Sequence, residues 1–208
     1  MNDLSGNTKA TKDDWLQAAL ETLISDGIEQ VKILTLANKL KVSRSSFYWY
    51  FKGRKDLLDA LLQHWLDTNT KAVVTHAKMP AATIHEAVCN IFAAFIDPAQ
   101  FDTKLDFAIR DWGRRSTEVR RILDHSDATR IQSIAEMFAR HDYAPRESLA
   151  RARTVYYMQI GYNDADLQEP PEDRLALLDC YLLSFTGQPP RSADIDASRA
   201  RLKALLSS

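Results

Sequence analysis

Apolar residues recur along this 208-residue chain at intervals of three and four, and no stretch alternates apolar and polar as a half-buried strand would. The pattern predicts an all-α protein. Trp15, Leu16, Ala19, Leu20, Leu23 and Ile24 form the first apolar stripe, with Thr11 and Asp14 at its start as a capping-box pair and Gly27 at its end. Two short patterns follow, Ile33-Leu34-Leu36-Ala37-Leu40 and Phe47-Tyr48-Tyr50-Phe51, separated by Lys41-Val42-Ser43. Two helices of about two turns with so short a connection describe a helix-turn-helix, in which Ser43 is expected to cap the second helix. A longer helix is expected from about Arg54 to Thr75, then helices near 83–96, 99–114, 117–141, 146–163, 172–186 and 193–206, punctuated by Asp97-Pro98, Ala144-Pro145, Pro170-Pro171 and Pro189-Pro190. The expected organisation is an N-terminal three-helix module over residues 1–55 and a larger C-terminal helical domain over 56–208, with the helix from Arg54 as connector.

Composition narrows the class. With 45% apolar and 26% charged residues the chain reads as globular rather than disordered or fibrous. The opening MNDLSGNTKATKDD lacks the basic start and apolar centre of a signal peptide, and no run approaches the ~20 apolar residues of a membrane span, so a cytoplasmic protein without membrane contact is expected. Cys89 and Cys180 stand far apart with no Cys or His partner at metal-ligand spacing, so no metal, disulfide framework or cofactor is expected. The net charge of −1 conceals an asymmetry: from Gln30 to Lys55 there are seven basic residues and no acidic one, whereas from Asp56 onward 18 Lys and Arg face 22 Asp and Glu. A basic block beside an acidic remainder suggests a nucleic-acid footprint confined to one region.

The block VSRSSFYWYFKGRKDLL, residues 42–58, supplies the side chains such a footprint needs. The second helix of a helix-turn-helix lies in the DNA major groove with its N-terminal residues toward the bases, which makes Arg44, Ser45 and Ser46 candidates for base or phosphate contact. Tyr48, Trp49 and Tyr50 add hydroxyl and indole donors for the backbone and ring surface for thymine methyls. Lys52, Arg54 and Lys55 follow where the chain leaves the groove, as candidate backbone clamps. Core filling is the competing reading of the aromatics. It is the better one for Phe47 and Phe51, which are four apart and share a face.

These residues resemble a known family. Gly27, the helix opening near Ile33, LANKLKVSRSSFYWYF and the Arg54-Lys55-Asp56-Leu57-Leu58 continuation look like the DNA-binding module of the tetracycline-repressor (TetR) family of bacterial regulators, over roughly residues 11 to 62. The resemblance implies base or phosphate contacts from Arg44, Ser45, Ser46, Tyr48, Trp49 and Tyr50, phosphate contact from Lys55, and a contact from Thr35 in the first of the two short helices. Two positions depart from the pattern. Lys41 stands where the turn ordinarily has glycine, and Lys32 where the helix ordinarily has a Ser or Thr cap. Both lysines are additional candidates for phosphate contact.

For the larger domain the resemblance implies a homodimer and an unidentified small-molecule effector. The helices near 146–163 and 172–186 carry more than one apolar stripe, which fits two partners each. Ala152, Val155, Gln159, Leu178, Leu182 and Phe185 are the expected dimer interface, the alternative being that both helices are internal. Phe92, Phe95, Phe107, Trp112 and Tyr156 are candidates for ligand contact or plain core. On the helix near 117–141 the row Val119, Leu123, Asp127, Arg130, Ile134, Phe138 is apolar except in its middle. Asp127 and Arg130 are therefore expected to turn inward, paired with each other or with Arg110, or to meet a ligand. A dimer implies a roughly palindromic operator, and the resemblance implies a repressor released by ligand; an architectural DNA-binding dimer without an effector is the alternative. His64, His76, His85, His125 and His141 are scattered and no hydrolase, metalloprotease or P-loop pattern occurs, so an enzyme is not expected.

Overall fold

The computed structural model describes residues 10–165, 167 and 169–206, and among them every regular element is helical. The chain divides into two compact units, Met1–Trp65 with Lys104–Arg120, and Leu66–Thr103 with Arg121–Ser208.

In the first unit, α1 (Lys12–Asp26) begins with the expected capping box: the Asp14 N–H donates to Thr11 Oγ1 at 3.1 Å and the Thr11 N–H to Asp14 Oδ2 at 2.7 Å. Gly27, at φ 80°, ends it in a conformation that side chains with a Cβ rarely adopt. A 3₁₀ turn (Ile28–Gln30) leads to α2 (Ile33–Leu40), a 3₁₀ helix (Arg44–Trp49) and α3 (Arg54–Trp65). Trp15 and Phe47, both fully buried, meet edge to face with centroids 5.2 Å apart, and Phe51 stacks on Phe47 at 5.3 Å. Burying a phenylalanine contributes about 1.5–3 kcal/mol, so this cluster fixes the short helices on α1. From α6 (Thr103–Arg115), the buried Asp106 accepts hydrogen bonds from the Trp65 indole and from Arg110 Nε, each at 2.8 Å. Two donors offset the cost of burying that carboxylate.

One α-helix is expected from about Arg54 to Thr75; the helical run extends to Ala77, and its winding changes midway. Leu66–Thr70 is π-helical, before α4 (Lys71–Ala77) resumes the ordinary pitch. The wider turn brings polar side chains inward: Asn69 exchanges two hydrogen bonds with the Asp102 backbone, at 2.8 and 3.2 Å, and Thr70 bonds Ser126 at 2.7 Å.

The second unit is built around α5 (Ile84–Ile96), of whose 13 residues eleven are buried, and which packs against α4, α10 (Leu178–Thr186) and α11 (Ser192–Leu206). Most of α7 (Thr117–Ala139), α8 (Pro145–Asp164) and α9 (Pro171–Ala176) complete it. A single helix is expected over 172–186, whereas Leu177, at φ −91° and ψ 7°, separates α9 from α10. Neither Gly nor Pro marks that break.

Candidate nucleic-acid interface

The turn between α2 and the 3₁₀ helix is closed by a residue with a side chain. Lys41 adopts φ 56° and ψ 39°, the left-handed region, and the Val42 N–H reaches back to the Ala37 carbonyl at 3.0 Å. α2 starts at Lys32 with no side-chain cap, as its departure from Ser or Thr implies.

The segment read as a short α-helix is wound as 3₁₀ over Arg44–Trp49, and Ser43 does not cap it with its side chain. Ser43 Oγ is paired with Ser45 Oγ at 2.8 Å, and the Ser43 carbonyl accepts both the Ser46 N–H at 3.1 Å and the Ser46 hydroxyl at 2.8 Å. Serine hydroxyls compete with the helical ladder in this way, which favours the tighter turn. Ser46 is consequently buried and acts as an internal brace, not as a group on the outer face. Tyr48 and Trp49 are 60% and 64% exposed, Arg44 and Ser45 are exposed beside them, and Tyr50 and Thr35 are half-buried at the rim. Phe47 and Phe51 point the other way, into the aromatic cluster. The structure thus sorts five consecutive aromatic residues into two anchors, two outward rings and one between.

The basic block also divides. Lys39 pairs with Glu21 at 2.8 Å. Arg54 is spent inside the module, donating from Nε to the Val31 carbonyl at 2.6 Å and from Nη2 to the Ile28 carbonyl at 2.9 Å. A clamp on the DNA backbone is the expectation for Arg54; here its guanidinium ties the start of α3 to the segment before α2. Lys55 is 2.9 Å from Asp59 and 3.5 Å from Glu118, and the Asp59 carboxylate holds its ammonium above the ordinary value. Lys32, Lys41, Arg44 and Lys52 remain exposed with no carboxylate partner among the described residues. Sequence reasoning missed the Arg54 brace, since nothing in the local sequence distinguishes a bracing arginine from a free one.

The remaining predicted residues lie elsewhere. Ala152, Val155, Gln159, Leu178, Leu182 and Phe185, expected at a dimer interface, are each at most 4% exposed, and all but the polar Gln159 belong to the second unit's own apolar core. The same helices expose Leu149, Tyr157, Leu177 and Leu183 on their opposite faces, at 38–54%. Among the expected ligand residues, Phe107 and Trp112 belong to the first unit, while Phe92, Phe95, Asp127, Arg130 and Tyr156 belong to the second. Arg130 is fully buried and donates to the Tyr156 hydroxyl at 3.2 Å and to Thr70 at 3.0 Å, over the Phe101 ring. The Tyr156 hydroxyl in turn donates to Asp127 at 2.6 Å. Both charges turn inward, joined through Tyr156, while Arg110 pairs with Asp106.

A three-helix module with an outward aromatic pair, four exposed cations and a separate helical unit defines a helix-turn-helix protein with a companion domain. Residues 16–61 match the family model for bacterial regulatory proteins of the tetR family. Over 66 residues the chain is 32% identical to the HTH-type transcriptional regulator TtgW of Pseudomonas putida, covering 30% of this chain and 49% of that one. Over 54 residues it is 39% identical to the class G tetracycline repressor protein of Vibrio anguillarum, covering 26% of each. These matches span about half the length of the first relative and about a quarter of the second. Across 99% of its length the fold is similar to Salmonella enterica GusR, with a TM-score of 0.59, 18% identity and all of that chain covered. Residues 16–61 are thus the part of the chain that the tetR-family model matches, and over the rest of the chain the likeness to solved structures is one of fold.

Proposed function

We propose that the protein binds a palindromic operator as a homodimer and represses transcription until a small molecule releases it. The observation that carries this reading is the exposure of Tyr48 and Trp49 beside Arg44 and Ser45, on a helix whose other face is anchored by Phe47. Large aromatics exposed on a rigid basic module suit a groove lined by phosphates and base edges. Lys32, Lys41, Arg44 and Lys52 supply the electrostatic part. If all four reach phosphate in each subunit, about eight counterions are released and log K falls with log salt at a slope of about −7.

In this reading the second copy packs on the outer faces of α8 and α10. Leu149 and Tyr157 of α8, Leu183 of α10 and Leu177 between α9 and α10 take the place of the buried residues expected from the sequence, and their apolar exposure supports a two-fold interface. Ligand acts by binding one arrangement of the dimer better than the other, and shifts operator affinity by that difference only.

Selection of bound duplexes from a random DNA library tests the reading. A recovered palindrome that is lost with Tyr48→Ala and Trp49→Ala, in proteins that sediment as dimers, is the expected result. Enrichment without a motif, or indifference to both substitutions, refutes it.

A further inference from the structure

Lys55 stands in the first turn of α3, and two carboxylates flank its ammonium. Asp59, one turn further along α3, accepts from Nζ at 2.9 and 3.0 Å. Glu118, in the first turn of α7, stands 3.5 Å from the same nitrogen. All three residues belong to the first unit, and all three side chains are exposed. Apart from Lys55, neither carboxylate meets a cation or a side-chain donor among the described residues. Glu118 therefore has one polar partner, and that partner is a lysine of the basic block.

The position of Lys55 explains why it attracts anions. A cation in the first turn of a helix lies at the positive end of the helix dipole, where an anion is favoured instead. In the free protein Asp59 and Glu118 supply that anion, and Asp59 first, then Glu118, hold the ammonium above its ordinary value. A DNA phosphate arriving at the start of α3, just after the exposed Lys52, meets the same dipole and the same ammonium. Carboxylate and phosphate oxygens use the same donors, so they compete for Lys55. Asp59 lies on α3 itself and moves with Lys55. Glu118 comes from another helix, so it is the contact that the two helices can make or break.

We infer that Glu118 sets the affinity for DNA by holding Lys55 back from phosphate: its carboxylate shares the ammonium in the free protein and yields it when the module meets the DNA backbone. Glu118 is thus a positioning residue that acts through Lys55 and touches no DNA. The inference deepens the DNA-binding reading above and rests on it. Because the pair is exposed, its effect is a few-fold change in affinity that shrinks as salt rises.

The test follows binding of the full chain to a mixed-sequence duplex of about 30 base pairs by fluorescence anisotropy at low salt, where phosphate contact dominates. Glu118→Gln is expected to tighten binding about two- to fivefold. Lys55→Met is expected to weaken it and to make the slope of log K against log salt shallower by about 1 per subunit. In the Lys55→Met background, Glu118→Gln is expected to change little. A gain of equal size in both backgrounds shows that Glu118 acts by its own repulsion of DNA, and overturns the inference. Glu118→Gln without a gain, or Lys55→Met without a change of slope, overturns it as well. A second measurement needs no DNA. The lysines are reductively methylated with isotope-labelled methyl groups, and the Lys55 signal, assigned by its absence from Lys55→Met, is titrated by NMR. Its midpoint is expected to fall in Glu118→Gln, and melting curves check that the variants fold alike. An unmoved midpoint in protein that binds the duplex overturns the inference alone. A midpoint that falls in protein that binds no duplex sinks the DNA-binding reading, and the inference with it.

Discussion

The structure turns Arg54 from a DNA clamp into a brace, and Arg54→Met tests that assignment. The guanidinium joins the first turn of α3 to carbonyls 23 and 26 residues earlier in the chain, at 2.6 and 2.9 Å. Methionine keeps most of the stem and removes both donors, leaving the partly buried Val31 and Ile28 carbonyls short of a partner. At about 1–1.5 kcal/mol for each bond the loss is about 2–3 kcal/mol. For a chain of this size that lowers Tm by roughly 4–12 °C. Thermal melts followed by circular dichroism read the loss, and anisotropy with operator DNA at several salt concentrations reads the electrostatics. A brace predicts a lower Tm with the slope of log K against log salt unchanged in protein kept folded. Arg54→Lys should also lose most of the stability, since an ammonium cannot span both carbonyls as a fork does. An unchanged Tm together with a slope smaller by about 1 per subunit would show that Arg54 holds phosphate and that the reasoning is wrong.

Other outcomes follow from the same geometry. Phe47→Ala removes a fully buried ring in contact with Trp15 and Phe51, and should cost about 3–5 kcal/mol in urea unfolding. Tyr48→Ala and Trp49→Ala, at exposed positions, should instead stay within about 0.5 kcal/mol of the parent, so equal destabilisation by all three would remove the division into anchors and outward rings. Tyr156→Phe takes away the hydroxyl that joins Arg130 to Asp127 and should destabilise by about 1–3 kcal/mol in the same assay. The Thr11 backbone N–H and hydroxyl hold the Asp14 carboxyl below its ordinary value, so the capping box stabilises the fold above the unfolded carboxylate pKa and loses that contribution as pH falls through the lower folded value. Asp14→Asn should therefore flatten the dependence of the urea midpoint on pH between about 5 and 2, and an unchanged pH profile would contradict the cap.

Much of the architecture is local and so is legible in the sequence. The spacing of Trp15, Leu20 and Leu23 sets α1, Thr11 and Asp14 start it, and Gly27 stops it, because capping and periodicity act over one or two turns. Family resemblance in residues 11–62 likewise rests on local spacing. The inward turn of Asp127 and Arg130 follows from their place in an apolar row, but their link through Tyr156 crosses 26 and 29 residues and no pattern encodes it.

Three features were decided by tertiary structure alone. The winding of Leu66–Thr70 goes with hydrogen-bond partners at the half-buried Asp102 backbone and the buried Ser126, whereas the sequence there reads as an ordinary helix. The two faces of α8 and α10 are each apolar enough to be core, and only packing shows that Val155 and Leu182 go inside while Leu149, Tyr157 and Leu183 stay out. Arg54 and Arg44 are alike in sequence, ten residues apart in one basic block, yet one finds two carbonyls and the other finds solvent. Periodicity reports which residues avoid water within a turn or two; which partner each polar group meets is set by contacts distant in the chain, and those exist only once it has folded.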